Sequence, residues 1–348
     1  MRIGSLFSGY GGLDLAVEAA TGAQPAWFCE WDKAPAKVLN YRWPDVPNHR
    51  DVTQIDWHDV EPVDILTGGS PCQDLSQAGK RAGMTQGTRS NLWVSMREAV
   101  NQLRPQLVVW ENVLGALSAQ AESESDNATF SGLEPGGGLL AAPRNGHLRA
   151  LGRVLGDFTE IGYDAEWATL RASDIGAPHH RARVFLIAWP HVPNSSSIRS
   201  QTQQLTSRSA EENTGDNNRE RIFPNTAHDG RERTGQTRGG RPGSTDCRNR
   251  TIEWGRYAPA VRRWEQLIGP APAPTEPNSK GNPRLNAAFA EWMMGLPPGW
   301  VTDPAIGLTR SQQLKAIGNG VCPQQATAAL TQLLERRAHG HTPTDTGC

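Results

Sequence analysis

The sequence predicts an α/β fold, a doubly wound and mostly parallel sheet joined to a small irregular domain. Three features carry this prediction. Short apolar strand-like runs alternate with segments of helical period from the N-terminus to residue 189. Residues 190–282 then lose aliphatic residues and fill with Arg, Asn, Thr, Gly and Pro. Regular patterning resumes over 283–336, and 337–348 read as a loose tail. Ligands of such a sheet gather beyond the carboxyl ends of its strands.

RIGSLF (2–7) is a first strand, and LDLAVEAATG (13–22) a helix closed by Gly22. AWFCEWD (26–32) is a second strand, and VDILTGG (63–69) a third, apolar enough to be buried on both faces. NLWVSMREAVNQL (91–103) is a helix and PQLVVWENV (105–113) a strand. HLRALGRVLGDFTEIGY (147–163) is a strongly amphipathic helix, with Leu148, Leu151, Val154, Leu155, Phe158 and Ile161 on one face. DAEWATLRA (164–172) and RVFLIAW (183–189) pair as late strands. After the irregular stretch come the helix LNAAFAEWMMG (285–295), the turn LPPGW (296–300) and a last helix, PQQATAALTQLLERR (323–337), which opens on Pro323.

Two segments break the pattern. Residues 118–146 are polar, glycine-rich and aperiodic, the mark of a surface insertion. Residues 190–282 read as a separate small domain that ends in GPAPAPTEPNSKGNP, a stiff Pro-rich connection. Charge divides in the same way. Residues 1–64 carry 5 Lys/Arg against 10 Asp/Glu, whereas residues 181–265 carry 15 Arg and no Lys against 9 Asp/Glu. A stretch whose cations are all Arg suits phosphate and guanine contacts, because the planar guanidinium donates two parallel hydrogen bonds.

The five cysteines (Cys29, Cys72, Cys247, Cys322 and Cys348) are odd in number and lack any C-x-x-C pair or zinc-finger spacing. Neither a disulfide framework nor a metal site is expected. No apolar run approaches a membrane span and the N-terminus lacks the form of a secretory signal, so a cytoplasmic location without membrane association is expected.

LFSGYGGLDLAVE sends a strand through Gly9, Gly11 and Gly12 into a helix beginning at Leu13, a turn that lets backbone approach a ligand at a helix N-terminus. Glu30, some 20 residues on at the end of the next strand, sits where a carboxylate takes ribose hydroxyls. Together these favour a nucleoside-containing cofactor. Cys72 follows Pro71 on a Gly/Pro loop just after the third strand, on the same sheet edge. Cys29 on its strand suits burial as a small hydrophobe, but a loop thiol beside a ligand suits a nucleophile. Lys80, Arg81, Arg181 and Arg183 are the cations available to hold its thiolate. Glu111 ends another strand among Val108, Val109, Trp110 and Val113, where desolvation raises a carboxyl pKa and lets it donate a proton.

LFSGYGGLDLAVE, CEWDKAPAKVL, GGSPCQDLSQAGKRAG, ENV, PHHRARVFLIA and AIGNGVCPQQATAAL, in this order from residue 5 to about 330, resemble the DNA (cytosine-5)-methyltransferases. The resemblance implies the class I S-adenosylmethionine-dependent methyltransferase fold. Its catalytic domain would be split between 1–189 and 283–336, with a target recognition domain at 190–282. It also implies roles. Cys72 would attack carbon 6 of cytosine while Glu111 protonates or hydrogen-bonds ring nitrogen 3, and Arg181 and Arg183 would hold the flipped base and its phosphate. Pro71, Gln73 and Ser76 belong to the loop that would close over that base. For S-adenosylmethionine, Phe7 would stack on adenine and the turn Ser8, Gly9, Gly11, Gly12 and Leu13 would hold the methionine end. Glu30 would take the ribose, Trp31 would add an apolar wall, Asp51 and Val52 would meet the adenine, and Asn319 and Val321 would close the site from the C-terminal side.

The implied partner is double-stranded DNA, read by a monomer of bacterial or phage type in a restriction-modification or anti-restriction role, with a cognate restriction endonuclease as a companion. The chain departs from the family in having His179 where Gln is usual two residues before the first arginine, and in the length of 118–146. A transfer-RNA cytosine methyltransferase would lack so large a recognition segment. A non-catalytic DNA-binding relative would have lost one of Cys72, Glu111, Arg181 or Arg183, and a cysteine hydrolase would need a local His signature that the chain does not have.

Overall fold

The computed structural model describes residues 1–70, 92–117, 120–121, 148–191 and 252–339. The chain divides into two units, Met1–His191 with Glu253–Cys348, and Val192–Ile252. Apart from Ile252 the second unit lies outside the described residues, as do most of the expected insertion and the tail.

In the first unit β1 (Arg2–Leu6), α1 (Gly12–Thr21), β2 (Gln24–Cys29), α2 (Lys33–Arg42) and β3 (Ile65–Gly68) follow in order. Then come α3 (Trp93–Leu103), β4 (Leu107–Val113), the short β5 (Gln120–Ala121) and β6 (Leu148–Arg149), α4 (Ala150–Glu160), β7 (Tyr163–Arg171) and β8 (Ala182–Pro190). After the second unit lie α5 (Ala258–Ile268), β9 (Thr275–Pro277), β10 (Pro283–Leu285), α6 (Ala287–Met293), α7 (Arg310–Asn319) and α8 (Pro323–Ala338).

Six strands form one sheet in the order β2-β1-β3-β4-β8-β7. The first four are parallel, and β8 runs antiparallel to both β4 and β7. The ten residues between β7 and β8 are too few for a parallel crossover, so the pair folds back on itself in register from Tyr163↔Pro190 to Arg171↔Ala182.

Alternation along the strands fills two cores. Leu6, Leu66, Val108 and Trp110 meet α3 and α4 through Trp93, Met96, Val154 and Phe158. Ile3, Ile65, Val109, Phe185 and Ile187 meet α1 and α8 through Leu13, Val17, Ala329, Leu330 and Leu333. A third core joins Tyr10 and Val38 to Trp264, Trp292, Val301, Ile317 and Cys322.

Three features depart from the sequence reading. The segment 33–42 is a helix, because Pro35 falls in its first turn, where proline is tolerated, and the Asp32 carboxylate caps it by accepting from the Ala34 N–H at 3.1 Å. Residues 253–282, expected within the separate small domain, belong to the larger unit, where Trp264 of α5 is fully buried. The Pro-rich connection holds a hairpin, β9–β10, closed by the Asn278 side chain, which accepts from the N–H groups of Lys280 and Asn282 at 2.9 and 3.0 Å.

Candidate active site

The glycine turn is built under constraint. Beyond β1 the chain takes left-handed backbone at Phe7 (φ 53°), Gly9 (φ 57°) and Gly11 (φ 84°) before α1 begins, and Phe7 is held there by its N–H donating to the Cys29 carbonyl at 2.9 Å. Gly9 faces open space, and the N-cap of α1 has no side-chain hydrogen bond, so the helix presents backbone at this point. Glu30 at the end of β2 is buried and fastened to the turn. One carboxylate oxygen accepts from the Gly9 N–H at 2.8 Å and the other from the Asp32 N–H at 2.6 Å. Burial raises its pKa, and the two backbone donors partly offset that rise.

The C-terminal return is packed against this turn as the motif order implied. Tyr10, fully buried, donates its hydroxyl to the Val321 carbonyl at 2.6 Å, and the Trp300 indole N–H donates to the Tyr10 carbonyl at 3.0 Å. The approach leaves no room for a side chain. A Cβ on Gly12 would lie 2.4 Å from the Val321 carbonyl oxygen, and one on Gly320 1.9 Å from the Tyr10 ring.

Glu111 lies near the end of β4, almost wholly buried, with Arg183 from the neighbouring strand pairing at 2.9 Å. Desolvation raises its carboxyl pKa, with Arg183 first and Arg181 next opposing the rise. A side chain at Gly69 would crowd it, since a Cβ there would come within 3.2 Å of Glu111 Oε2. Arg181, in left-handed backbone (φ 26°), sends its guanidinium to the carbonyls of Gly318 and Gly320, tying β8 to the C-terminal loop. His179 Nε2 meets the Met293 carbonyl at 2.8 Å and so must carry a proton, while burial pulls its pKa down.

One cleft gathers Phe7, Ser8, Gly9, Gly12 and Leu13 from the turn, Gly69 and Glu111 from the middle strands, and Asn319, Gly320 and Val321 from the return. Five other residues expected at the cofactor do not line it. Glu30 is buried behind the turn, with its carboxylate on the Gly9 and Asp32 N–H groups. Gly11 caps α1, Trp31 is mostly exposed, the Asp51 carboxylate accepts from the Thr53 N–H and hydroxyl, and Val52 is buried in the core beside α3. Pro71, Cys72, Gln73 and Ser76, with Lys80 and Arg81, lie outside the described residues.

Sequence reasoning missed two anchors. Asp14 is fully buried and accepts from the Ser5 hydroxyl on β1 at 2.9 Å and the Thr67 hydroxyl on β3 at 2.8 Å. An acid on the apolar face of α1, between Leu13 and Val17, was the available signal. Ser70, the residue before Pro71, accepts from the Trp110 indole N–H at 3.1 Å and the Asn112 amide at 3.3 Å, so the end of β4 grips the chain leaving β3. Among the described residues no cluster of His, Cys, Asp and Glu could hold a metal ion, and no helix is long and apolar enough to cross a membrane.

A glycine turn, a buried acid locked to it and a cation-paired carboxylate at the next-but-one strand end define an α/β class whose cleft is built by both ends of the chain. Residues 1–335 match the model of the C-5 cytosine-specific DNA methylases, and the chain belongs to that family. It is 32% identical over 214 residues to a DNA N-6-adenine-methyltransferase of Escherichia phage P1, a match covering 51% of this chain and 28% of that protein. It is 28% identical over 184 residues to Type II methyltransferase M1.ScrFI of Lactococcus lactis subsp. cremoris, covering 53% and 40%. The matches thus span less than half the length of these relatives. A solved structure from an E. coli prophage, described as a DNA modification methyltransferase, superposes with a TM-score of 0.52 at 18% identity, over 96% of this chain and 99% of that one, a likeness of fold.

Proposed function

We propose that this protein is a DNA cytosine-5 methyltransferase acting on a flipped-out cytosine in a specific duplex sequence. The observation that carries the reading is Glu111, paired with Arg183 at 2.9 Å and bordering the same cleft as the glycine turn. Family membership supports it.

S-adenosylmethionine fits the residues present. The open backbone at Gly9 and the uncapped start of α1 suit the charged methionine end, and the buried Glu30 carboxylate, held by one N–H on each oxygen, has lone pairs left for ribose hydroxyls. Phe7 would stack on the adenine, and Asn319 and Val321 would close the site. When bound, this cofactor supplies an electrophilic methyl group.

The chain's own residues make carbon 5 able to accept it. The Cys72 thiolate adds to carbon 6 while the Glu111 carboxyl, its pKa raised by desolvation against the opposing pull of Arg183, delivers its proton or a hydrogen bond to ring nitrogen 3. Arg183 holds Glu111 in place, and Arg181 holds the C-terminal loop against β8. After carbon 5 is methylated, water takes its proton, the carbon–sulfur bond breaks to release the Cys72 thiolate, and ring nitrogen 3 returns its proton to Glu111. Residues 192–252, outside the unit that carries the cleft, supply target recognition.

The test is a nucleoside digest of duplex DNA incubated with the protein and labelled S-adenosylmethionine. Label in 5-methylcytosine is expected. Label in N6-methyladenine would move the chemistry to that named for the phage P1 relative. Label on transfer RNA alone would favour a transfer-RNA enzyme. Duplexes carrying 5-fluorocytosine should trap a covalent complex on Cys72, and an adduct mapped to Cys29 or Cys322 would refute the nucleophile.

A further inference from the structure

α5 has one buried face and one bare face. Val261 and Trp264 enter the third core, and the Trp264 indole N–H donates to the Trp292 carbonyl at 2.9 Å. The Trp292 indole N–H in turn donates to the Gly269 carbonyl at 2.9 Å, fixing the helix end. Trp254, just before the helix, stacks on Phe289 at 5.7 Å, and Phe289 on Trp292 at 5.6 Å, so the entry is fixed as well.

The other face carries Arg262 and Arg263, and the short turn Gly255–Tyr257 that leads into the helix carries Arg256 and Tyr257, all four exposed. Among the described residues none of these arginines forms an ion pair. The contrast with α4 is informative. There Arg153 meets Asp157 four residues on, the ordinary way a helix neutralises a cation. In α5 the residues four beyond Arg262 and Arg263 are Gln266 and Leu267, the latter 63% exposed. Arg256 lies over the Tyr257 ring, 5.0 Å from its centre. Of the nearby acids, Glu253 is exposed, and Glu265 accepts from the Ala271 N–H at 3.0 Å.

Guanidinium groups with no ion pair among the described residues, Arg256 donating only to the Tyr257 hydroxyl at 2.9 Å, stand beside exposed Tyr and Leu on and before a helix pinned at both ends. They match the surface of a nucleic-acid backbone, with phosphates for the forks and sugars for the apolar groups. The core that holds α5 also contains Tyr10 of the glycine turn and Ala172 and Ala177 of the β7–β8 connection, which places the helix at the cleft's end of the sheet. We propose that Arg256, Arg262 and Arg263 grip the phosphate backbone of duplex DNA without reading its sequence, because α5 belongs to the unit that carries the cleft and not to Val192–Ile252. The proposal rests on the DNA reading above.

The test combines Arg256→Ala, Arg262→Ala and Arg263→Ala in the full chain. Binding to one duplex with the target sequence and one without it is followed by anisotropy over a range of salt. Both duplexes should lose affinity by the same factor, ~10-fold or more at low salt, and the slope of log affinity on log salt should fall by about 2.7, or 0.9 for each of three phosphates. Replacing all three by Lys should restore the slope, which a purely structural role would not. An unchanged slope, a loss confined to the target duplex, or a loss on transfer RNA with duplex binding intact would each overturn the proposal. Methylation is scored in the same samples. A variant with wild-type salt dependence overturns the grip alone, whereas a wild type that binds duplex but methylates nothing overturns the activity alone.

Discussion

Asp14 and Glu111 are both buried carboxylates, yet their surroundings differ in kind. Asp14 is sealed beneath the glycine turn, where the Ser5 and Thr67 hydroxyls and its own backbone N–H donate to it and no cation among the described residues shifts it. Glu111 borders the cleft and is paired with Arg183. Burial raises both pKa values. The difference separates what each can do. An acid closed off from the cleft can only bind strands together, and Asp14 joins β1, which leads to the cofactor turn, with β3, which leads to Cys72. An acid on the cleft wall can exchange a proton with a ligand, and a cation beside it fixes where that proton is offered.

Breaking the cleft acid should have the largest effect. Glu111→Gln keeps an oxygen for Arg183 but cannot deliver a proton, so kcat should fall by ~100-fold or more with little change in melting temperature. Glu111→Ala should in addition cost about 3 kcal/mol, because it strands a largely buried guanidinium. Rate and melting measurements on both variants separate the two roles. A Gln variant with wild-type kcat would remove Glu111 from proton transfer.

Breaking the sealed acid should act on stability first. Asp14→Ala leaves the Ser5 and Thr67 hydroxyls without an acceptor, a loss of ~2 to 4 kcal/mol in denaturant titrations. Asp14→Asn is the sharper probe, since its amide can accept from one hydroxyl and donate to the other. Burial pushes Asp14 up to about 6 from its ordinary 3.8. The stability tied to its protonated form is therefore complete below about pH 4 and lost as pH rises through about 6. The Asn variant cannot ionise, so relative to wild type it should gain ~2 to 3 kcal/mol between pH 4 and pH 8. A constant difference across that range would mean that Asp14 keeps its ordinary pKa.

The contrast also marks what was legible in the sequence. Strands buried on both faces announce themselves by composition, and the glycine turn, Glu30 and Glu111 stand at strand ends that periodicity can locate. Asp14 was hidden because the hydroxyls that satisfy it come from two other strands, and sequence spacing carries no trace of that meeting. The helix at 33–42 was hidden by Pro35, and α5 by its setting in a stretch poor in aliphatic residues, where two buried side chains, Val261 and Trp264, suffice to hold it. Cys72 was the most legible residue of all as a motif, yet its loop lies outside the described residues. The hydrogen bonds of Ser70 are the nearest structural statement about where that loop begins.

The smallest effect, and the finest test of the comparison, concerns a third carboxylate. Glu18 stands one turn beyond Asp14 on α1, with a buried Oε1 that meets no donor among the described residues. Burial first, and the Asp14 charge second, push its pKa from 4.5 up to about 7. Because the folded value is the higher one, the stability linked to Glu18 is complete below about pH 4.5 and lost as pH rises through about 7. Glu18→Gln should therefore leave melting unchanged near pH 4 and stabilise the protein at pH 8. The gain should be no more than about 1 kcal/mol, because the residue is only partly buried and solvent screens its charge. Combined with Asp14→Asn the gain should shrink, since the like charge that opposes ionisation of Glu18 is gone. Melting curves of the two single variants and the double variant at both pH values decide the matter. A gain at pH 8 that is the same in either background would mean that the two acids do not sense each other, and that α1 carries two independent buried charges.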